Sequence, residues 1–200
     1  MAERLRLGIL ATHPVQYHAP LYRRLAAEPG VDLVVHFAHR PTPAQQGDGF
    51  GVPFEWDVDL TAGFDHVFLR NVAAQPDTGT FAGCDTPEVG ELIHAARFDA
   101  YLVMGWHARS YWQAMTACWR AGVPLLVRGD SQLVGDGSAI KRAVKRAAYP
   151  LFIRRFDVCL SVGERSAEYF RYYGARRIVL APHFVDNAFF AERATAAADR

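Results

Sequence analysis

Short apolar runs alternate with amphipathic segments along the 200-residue chain, and this order predicts strands that alternate with helices. The first unit is a strand over 5–11, a helix over about 18–28 and a strand over 31–38, which begins a β-α-β arrangement. Later strands are predicted at 66–69, 100–105, 123–128, 157–162 and 177–181, and later helices at 86–97, 109–121, 138–156 and 164–173. The predicted fold is therefore α/β and Rossmann-like, a mostly parallel sheet with helices on both faces.

Four further segments carry weaker signals. Apolar and acidic residues alternate over 54–60, which predicts an edge strand with one wet face. The glycine-rich stretch 47–51 is typical of a mobile loop, and 188–200 is typical of a tail. The helix over 109–121 carries so many apolar side chains that we expect it to pack flat against the sheet.

Polar side chains cluster directly after the predicted strands. In an open parallel sheet the carboxyl ends of the strands meet at one edge, and ligands bind there. We therefore predict one shared substrate-binding site. Its candidate residues are His13, Gln16, Tyr17, Trp106, His107, Arg109, Arg128, Asp130, Ser131 and His183.

The types of residue in this set suit an acceptor with hydroxyl groups. Asp130 and His107 are the candidate catalytic residues, since a carboxylate at a strand end can accept a proton from a substrate hydroxyl. Trp106 and Arg109 would place an aromatic face beside a cation, which suits a sugar ring. Simpler interpretations stay open: a loop His13 that caps a helix, a core Trp106 with a surface Arg109, and an Asp130 that only begins the next turn.

Composition narrows the possible functions. Half of the residues are hydrophobic and 22% are charged, as in ordinary globular proteins, and the net charge of +1 argues against a general nucleic-acid binder. The net charge is −6 over residues 1–100 and +7 over 101–200, so we expect a local electropositive face for anionic partners. Without a long apolar leader or an apolar run long enough to span a bilayer, the expected location is the cytoplasm.

Several familiar motifs do not occur. The loop after the first strand lacks Gly-x-Gly-x-x-Gly, and the chain contains neither a Gly-x-x-x-x-Gly-Lys-Ser/Thr loop nor a Gly-x-Ser-x-Gly elbow. The eight histidines are dispersed and the three cysteines form no Cys-x-x-Cys pair, so we predict no metal site and no cofactor. The missing Gly-x-Gly-x-x-Gly disfavours a dinucleotide site, and it therefore also disfavours a nicotinamide-dependent oxidoreductase domain.

The segment 138–156 combines bases with an apolar stripe. Lys141, Arg142, Lys145 and Arg146 lie at i,i+4 spacing beside Ile140, Val144, Ala147, Ala148 and Leu151. This pattern is typical of a helix that lies on an anionic bilayer, which would make the protein peripheral at the inner membrane face. A core-packed helix with a basic outer face is the alternative.

The order of three segments resembles the N-terminal, acceptor-binding domain of glycosyltransferase family 4, whose members have the two-domain GT-B fold. The segments are His-Pro-Val-Gln-Tyr-His-Ala-Pro-Leu-Tyr-Arg-Arg-Leu (13–25), Val-Pro-Leu-Leu-Val-Arg-Gly-Asp-Ser (123–131), and Val-Gly-Glu-Arg-Ser-Ala-Glu-Tyr-Phe (162–170) with Ile-Val-Leu-Ala-Pro-His-Phe-Val-Asp-Asn (178–187). The resemblance covers nearly the whole chain. Two family features are not matched, a Gly-rich loop after the first strand and a His where this chain has Gly129-Asp130-Ser131.

The resemblance implies a retaining transfer of a sugar from a nucleotide-diphosphate donor to a glycan, lipid-linked or small-molecule acceptor, without a metal. Residues 1–187 would be the acceptor-binding domain, and 188–200 would lead towards a donor-binding domain that the chain lacks. The expected partners are the acceptor and that donor half, in the same chain or as a separate subunit; alone, the chain should be inactive. A non-catalytic binding or scaffold domain is the alternative from another class.

Overall fold

A computed structural model describes residues 4–47, 51–133, 139–183 and 185–198. The chain forms one sheet in which neighbouring strands all run parallel, in the order β3-β2-β1-β4-β5-β6-β7. The strands are β1 (Leu5–Ala11), β2 (Val31–Phe37), β3 (Asp65–Phe68), β4 (Ala100–Val103), β5 (Leu125–Gly129), β6 (Val158–Ser161) and β7 (Ile178–Leu180).

Helices connect the strands, as the alternating pattern predicted. They are α1 (Ala19–Ala26), α2 (Pro43–Gln46), α3 (Val89–Ala96), α4 (Arg109–Ala121), α5 (Ala139–Ile153), α6 (Glu164–Tyr172) and α7 (Asn187–Ala198). Parallel neighbours joined by helical crossovers form the doubly wound arrangement, so the predicted α/β, Rossmann-like class is confirmed. None of the helices within the described ranges is long and apolar enough to cross a lipid bilayer.

Each face of the sheet has its own core because side chains alternate along a strand. Leu10 of β1 packs on the face that carries α3, α4 and α6, whereas Ile9 and Ala11 pack on the other face, against Tyr22 of α1. Burial on both faces explains why the strand sequences are continuous apolar runs rather than alternating ones. Cys84, Cys118 and Cys159 are buried free thiols.

Several predictions about local structure differ from the observed elements. Residues 54–60 form no strand: the Asp59 carboxylate accepts hydrogen bonds from the backbone of residues 61 and 62, and Arg23 of α1 binds the carbonyls of residues 59 and 62. Apolar and acidic residues alternate over 54–60 because every second residue of this loop, which packs on α1, is shielded from solvent. Helix α3 begins at Val89 rather than at residue 86; residues 87 and 88 form a turn before it, and the backbone N–H of Thr86 is bonded to Gln113.

The other differences concern the ends of elements. The predicted tail contains helix α7, and Trp112 of α4 keeps 38% of its surface exposed although the rest of that helix packs on the sheet as expected. Helix α2, capped by Thr42, precedes the predicted loop at 47–51; residues 48–50 of that loop lie outside the described residues.

Gly8 lies in the middle of β1 because the ring of Tyr101 covers it. A Cβ atom on residue 8 would lie 2.4 Å from two ring carbons of Tyr101 and 3.2 Å from Phe98. The Tyr101 ring is fully buried, and its hydroxyl is 3.0 Å from Nδ1 of His36, so it cannot move without loss of that contact. The absence of a side chain at residue 8 therefore fixes how β4 packs beside β1.

We expect Gly8→Ala to lower the free energy of unfolding by about 3 kcal/mol, because the methyl group displaces Tyr101 and breaks its bond to His36. Urea denaturation measures the change. The matched control is Gly30→Ala, where a Cβ would meet nothing within 4 Å and the change should stay below about 1 kcal/mol. Equal effects of the two substitutions would contradict this account of the strand pairing.

Candidate functional site

A cavity of about 440 Å³ opens at the carboxyl ends of the strands. It lies where the strand order reverses: the chain passes from β1 outward through β2 and β3, then returns to place β4 on the other side of β1. The loops that follow two strands diverging at such a point leave a crevice, which is the usual ligand site of doubly wound sheets. The lining residues come from the ends of β1, β4, β5, β6 and β7.

Most of the predicted site residues line this cavity. They are His13, Tyr17, Trp106, His107, Arg128, Asp130, Ser131 and His183. The parallel register brings them together although they are spread over 170 residues of sequence, as the strand-end argument predicted. Which of them bind or react stays a prediction.

Two predicted residues lie elsewhere. Gln16 is exposed and lines a separate groove of about 400 Å³ between α1 and α7, because the first turn after β1 directs it away from the crevice. Arg109 begins α4 and is held by an ion pair, with its Nη1 atom 2.7 Å from the Asp85 carboxylate. Its backbone N–H also bonds the carbonyl of Phe81, so the residue joins α4 to the preceding loop.

Trp106 takes part in both the cavity wall and the core. Its ring lies parallel to that of Tyr169 at 6.5 Å and edge-on to Phe152 at 5.8 Å, and its carbonyl accepts a hydrogen bond from Trp112 at 2.9 Å. The indole is therefore fixed by aromatic neighbours on α5 and α6. A fixed, partly exposed ring provides a rigid apolar wall for a bound ligand.

Arg128 lies at the floor of the site, and only 5% of it is exposed. Its Nη1 atom donates to Nε2 of His18 at 3.3 Å, and its Nη2 atom donates to the carbonyl of Ala181 at 3.0 Å and to Nδ1 of His183 at 3.3 Å. These bonds tie β5 to the start of α1 and to the segment that follows β7. The guanidinium thus holds two segments that line the cavity against the end of β5.

The imidazoles around this guanidinium are neutral at pH 7. Burial lowers the pKa of His18 to about 3, and the positive charge of Arg128 acts in the same direction. Burial, followed by Arg128, also lowers the pKa of His183, although Asp130 opposes the shift. The pKa values of His13 and His107 are lowered as well, chiefly by burial. Neutral imidazoles can accept hydrogen bonds, which charged ones cannot.

The loop after β4 turns at a glycine so that His107 can approach. Gly105 has φ +138°, a conformation that side chains rarely adopt, and a Cβ there would lie 3.3 Å from Nδ1 of His107. On the opposite wall the backbone N–H of Thr12 donates to the hydroxyl of Tyr111 at 3.2 Å, and Oγ1 of Thr12 is 3.0 Å from Nδ1 of His13. These contacts fix both histidines at the rim.

Two partners of the cavity were missed by the sequence argument. His18 was assigned to the first helix, yet its bond to Arg128, 110 residues away in sequence, makes it part of the site. Tyr111 belongs to the helix that was expected to pack flat against the sheet, and it also lines the cavity and contacts Thr12. Nothing in either local sequence marks such a long-range contact. Among the described residues, no group of three or more His, Cys, Asp or Glu side chains could hold a metal ion.

The chain matches no known family model and no curated protein, but solved structures share its fold. One is HepE of Anabaena in complex with UDP and glucose, with a TM-score of 0.54 and 12% identity over 98% of this chain and 50% of HepE. Another is sucrose-phosphate synthase of Thermosynechococcus elongatus, with a TM-score of 0.50 and 11% identity over 96% of both chains. The chain therefore spans about half the length of HepE. At these identities the likeness shows a shared Rossmann-like α/β fold.

The neutral state of His18 makes the stability depend on pH. The pKa of His18 is about 3 in the folded chain, against about 6.5 when unfolded, so the unfolded chain binds the extra proton as the pH falls. The stabilisation is complete above pH 6.5 and is lost as the pH falls from there towards 3. From pH 7 to pH 5 this one group should lower the free energy of unfolding by about 2 kcal/mol.

Urea denaturation of wild type and His18→Gln at both pH values measures this contribution. The difference between pH 7 and pH 5 should shrink by about 2 kcal/mol in His18→Gln, because glutamine does not titrate. His94→Gln, which changes an exposed histidine on α3, is the control and should leave that difference unaltered. A His18→Gln variant with the same pH dependence as wild type would show that His18 is not held neutral.

Proposed function

We propose that this chain is the acceptor-binding half of a GT-B glycosyltransferase of the family-4 type. The observation that carries the proposal is the cavity at the point where the strand order reverses, whose lining combines His107, Asp130 and Trp106. The order of the three sequence segments supports it independently. The fold shared with HepE, a protein whose structure holds UDP and glucose, supports it as well.

The proposed reaction transfers a sugar from a nucleotide-diphosphate donor to a hydroxyl of the acceptor, with retention at the anomeric carbon. For retention the acceptor oxygen approaches that carbon on the face from which the diphosphate leaves. The new bond to the acceptor oxygen forms, the bond from the carbon to the diphosphate breaks, and the hydroxyl proton passes to a base. Asp130 is the proposed base, since its exposed carboxylate lies at the mouth of the cavity. No metal or other cofactor takes part in this proposal.

The neighbours of Asp130 would orient the acceptor. His107 is neutral at pH 7, so its ring can accept a hydrogen bond from a sugar hydroxyl while the other ring nitrogen donates one. Trp106 offers the apolar face against which a pyranose ring packs, and Ser131 contributes a further hydroxyl at the same rim. Such a wall binds and orients an acceptor, whereas the charge of a leaving diphosphate needs further hydrogen-bond donors, which the donor half would contribute.

The donor half would lie in the same chain or in a separate subunit. Residues 1–187 form the proposed acceptor domain, and 188–200, which contains most of α7, would lead to the donor domain. The coverage of only half of HepE fits this division. We therefore expect residues 1–200 alone to show no sugar transfer, and hexosyl transfer to appear only when the donor half is present.

Association with an anionic membrane surface in the cytoplasm is part of the proposal. On α5 the side chains of Val144 and Leu151 are 60% and 72% exposed, beside an exposed Arg146. Lys145 lies 5.6 Å above the ring of Tyr149. Exposed apolar residues interleaved with bases favour an interfacial helix. The side chains of Lys141 and Arg142 lie outside the described residues.

The release of nucleoside diphosphate from a panel of nucleotide sugars tests the proposal, in the protein that also carries the donor half. We expect Asp130→Asn to lower the rate about 100-fold or more, because the amide cannot take the hydroxyl proton. The matched control is Glu91→Gln, an equivalent change of an exposed carboxylate on α3, which should keep the wild-type rate. Absence of release with every donor, or a wild-type rate in Asp130→Asn, would contradict the proposed function.

A further inference from the structure

The guanidinium of Arg128 is a buried cation whose hydrogen-bond partners among the described residues carry no charge. These partners are two imidazoles and the carbonyl of Ala181. Within the described part of the chain no carboxylate lies within salt-bridge distance of it. The charge of Asp130 acts on the pKa of Arg128 from beyond that distance. Buried charges in proteins are normally paired, so this one calls for an explanation.

Two donors in the same cluster have no hydrogen-bond partner among the described residues. The buried Nε of Arg128 bonds to nothing among the described residues. Because Nη1 of Arg128 donates to Nε2 of His18, that nitrogen carries no proton, and the proton of the neutral ring lies on Nδ1. This Nδ1 atom is buried and has no partner in the described chain either. Two buried N–H groups of the cluster therefore have no acceptor among the described residues.

The cluster adjoins the cavity on several sides. Arg128, His18 and His183 all line it, and Tyr17 closes the group with its ring 5.0 Å from that of His183. The rings of His18 and His183 stack 6.0 Å apart, which fixes both imidazoles against the guanidinium. The donors are thus held in position before any ligand arrives, and this lowers the entropic cost of binding.

We propose that Arg128, together with His18 and His183, binds an anionic group of the substrate, a phosphate or a carboxylate, at the floor of the cavity. The inference rests on the proposed function only in taking the ligand to be a substrate of glycosyl transfer. A planar guanidinium presents paired N–H groups that match the oxygens of these anions. The anion comes from one of two sources, the diphosphate of the donor or a phosphate or carboxylate on the acceptor.

The cluster also explains the charge pattern of the cavity. Asp130 at the mouth suits a neutral hydroxyl, whereas Arg128 at the floor suits an anion, so one ligand can present both groups along the cavity. Binding of the anion would also remove the uncompensated charge from the floor. We therefore expect the empty chain to be less stable than the chain with anion bound.

Isothermal titration of residues 1–200 with inorganic phosphate, glucose 6-phosphate, glucuronate, UDP and uncharged glucose tests the proposal. We expect at least one anion to bind, and Arg128→Gln to weaken it at least about tenfold. The matched control is Arg120→Gln, which removes an exposed arginine at the far edge of α4 and should keep the wild-type affinity. Tighter binding of UDP identifies the donor diphosphate as the source; tighter binding of glucose 6-phosphate or glucuronate identifies the acceptor.

Arg128→Gln also removes the bond to the Ala181 carbonyl, so its fold has to be checked by circular dichroism. If it does not fold, the NMR signal of the Nε–H group of Arg128 in the wild-type chain decides, with Arg128→Lys used to assign it. That signal should shift when inorganic phosphate is added.

Binding of no anion at all, equal weakening in both variants, or an unmoved Nε–H signal would overturn the proposal. If anion binding at Arg128 fails this test, glycosyl transfer that depends on Asp130 can still be observed. If the proposed transfer fails its own test, anion binding at Arg128 can still be observed.

Discussion

The hydrogen bonds of the Arg128 guanidinium are the contact on which the architecture of the cavity depends. From its place on β5 the side chain reaches His18, at the start of α1, and both Ala181 and His183 after β7. β5, the start of α1 and the segment after β7 come from three separate parts of the sequence. The parallel sheet alone fixes only the positions at which the strands end. The arginine fixes how the loops beyond those ends stand relative to one another.

This arrangement costs stability, and the cost points to function. A guanidinium that is 5% exposed has lost most of its hydration, and burial lowers its pKa. The surrounding histidines have lowered pKa values and remain neutral, so they do not add repulsion at pH 7. In our proposal, this cation, which has no carboxylate partner among the described residues, is prepared for an anion. The apolar wall at Trp106 and the carboxylate of Asp130 complete a surface that suits a sugar derivative.

The sequence predicted the fold more fully than the site. Apolar periodicity located all seven strands, and the order of elements was sufficient for the α/β class, because buried parallel strands and crossover helices have strong local signals. The alternation at 54–60 was misleading, since a loop that packs on α1 shows the same period as a strand. The strand-end rule located most cavity residues but misplaced Gln16 and Arg109. The direction of Gln16 depends on the turn after β1, and that of Arg109 depends on its ion pair with Asp85.

The most direct test is a crystal structure of residues 1–200 soaked with glucose 6-phosphate, compared with an unsoaked crystal. The account predicts a phosphate within hydrogen-bond distance of the Arg128 guanidinium, and a sugar ring that extends past Trp106 towards Asp130. Soaking with inorganic phosphate should fill the Arg128 position alone. Ligand bound only outside the cavity, for example in the groove between α1 and α7, with the surroundings of Arg128 unchanged, would contradict it.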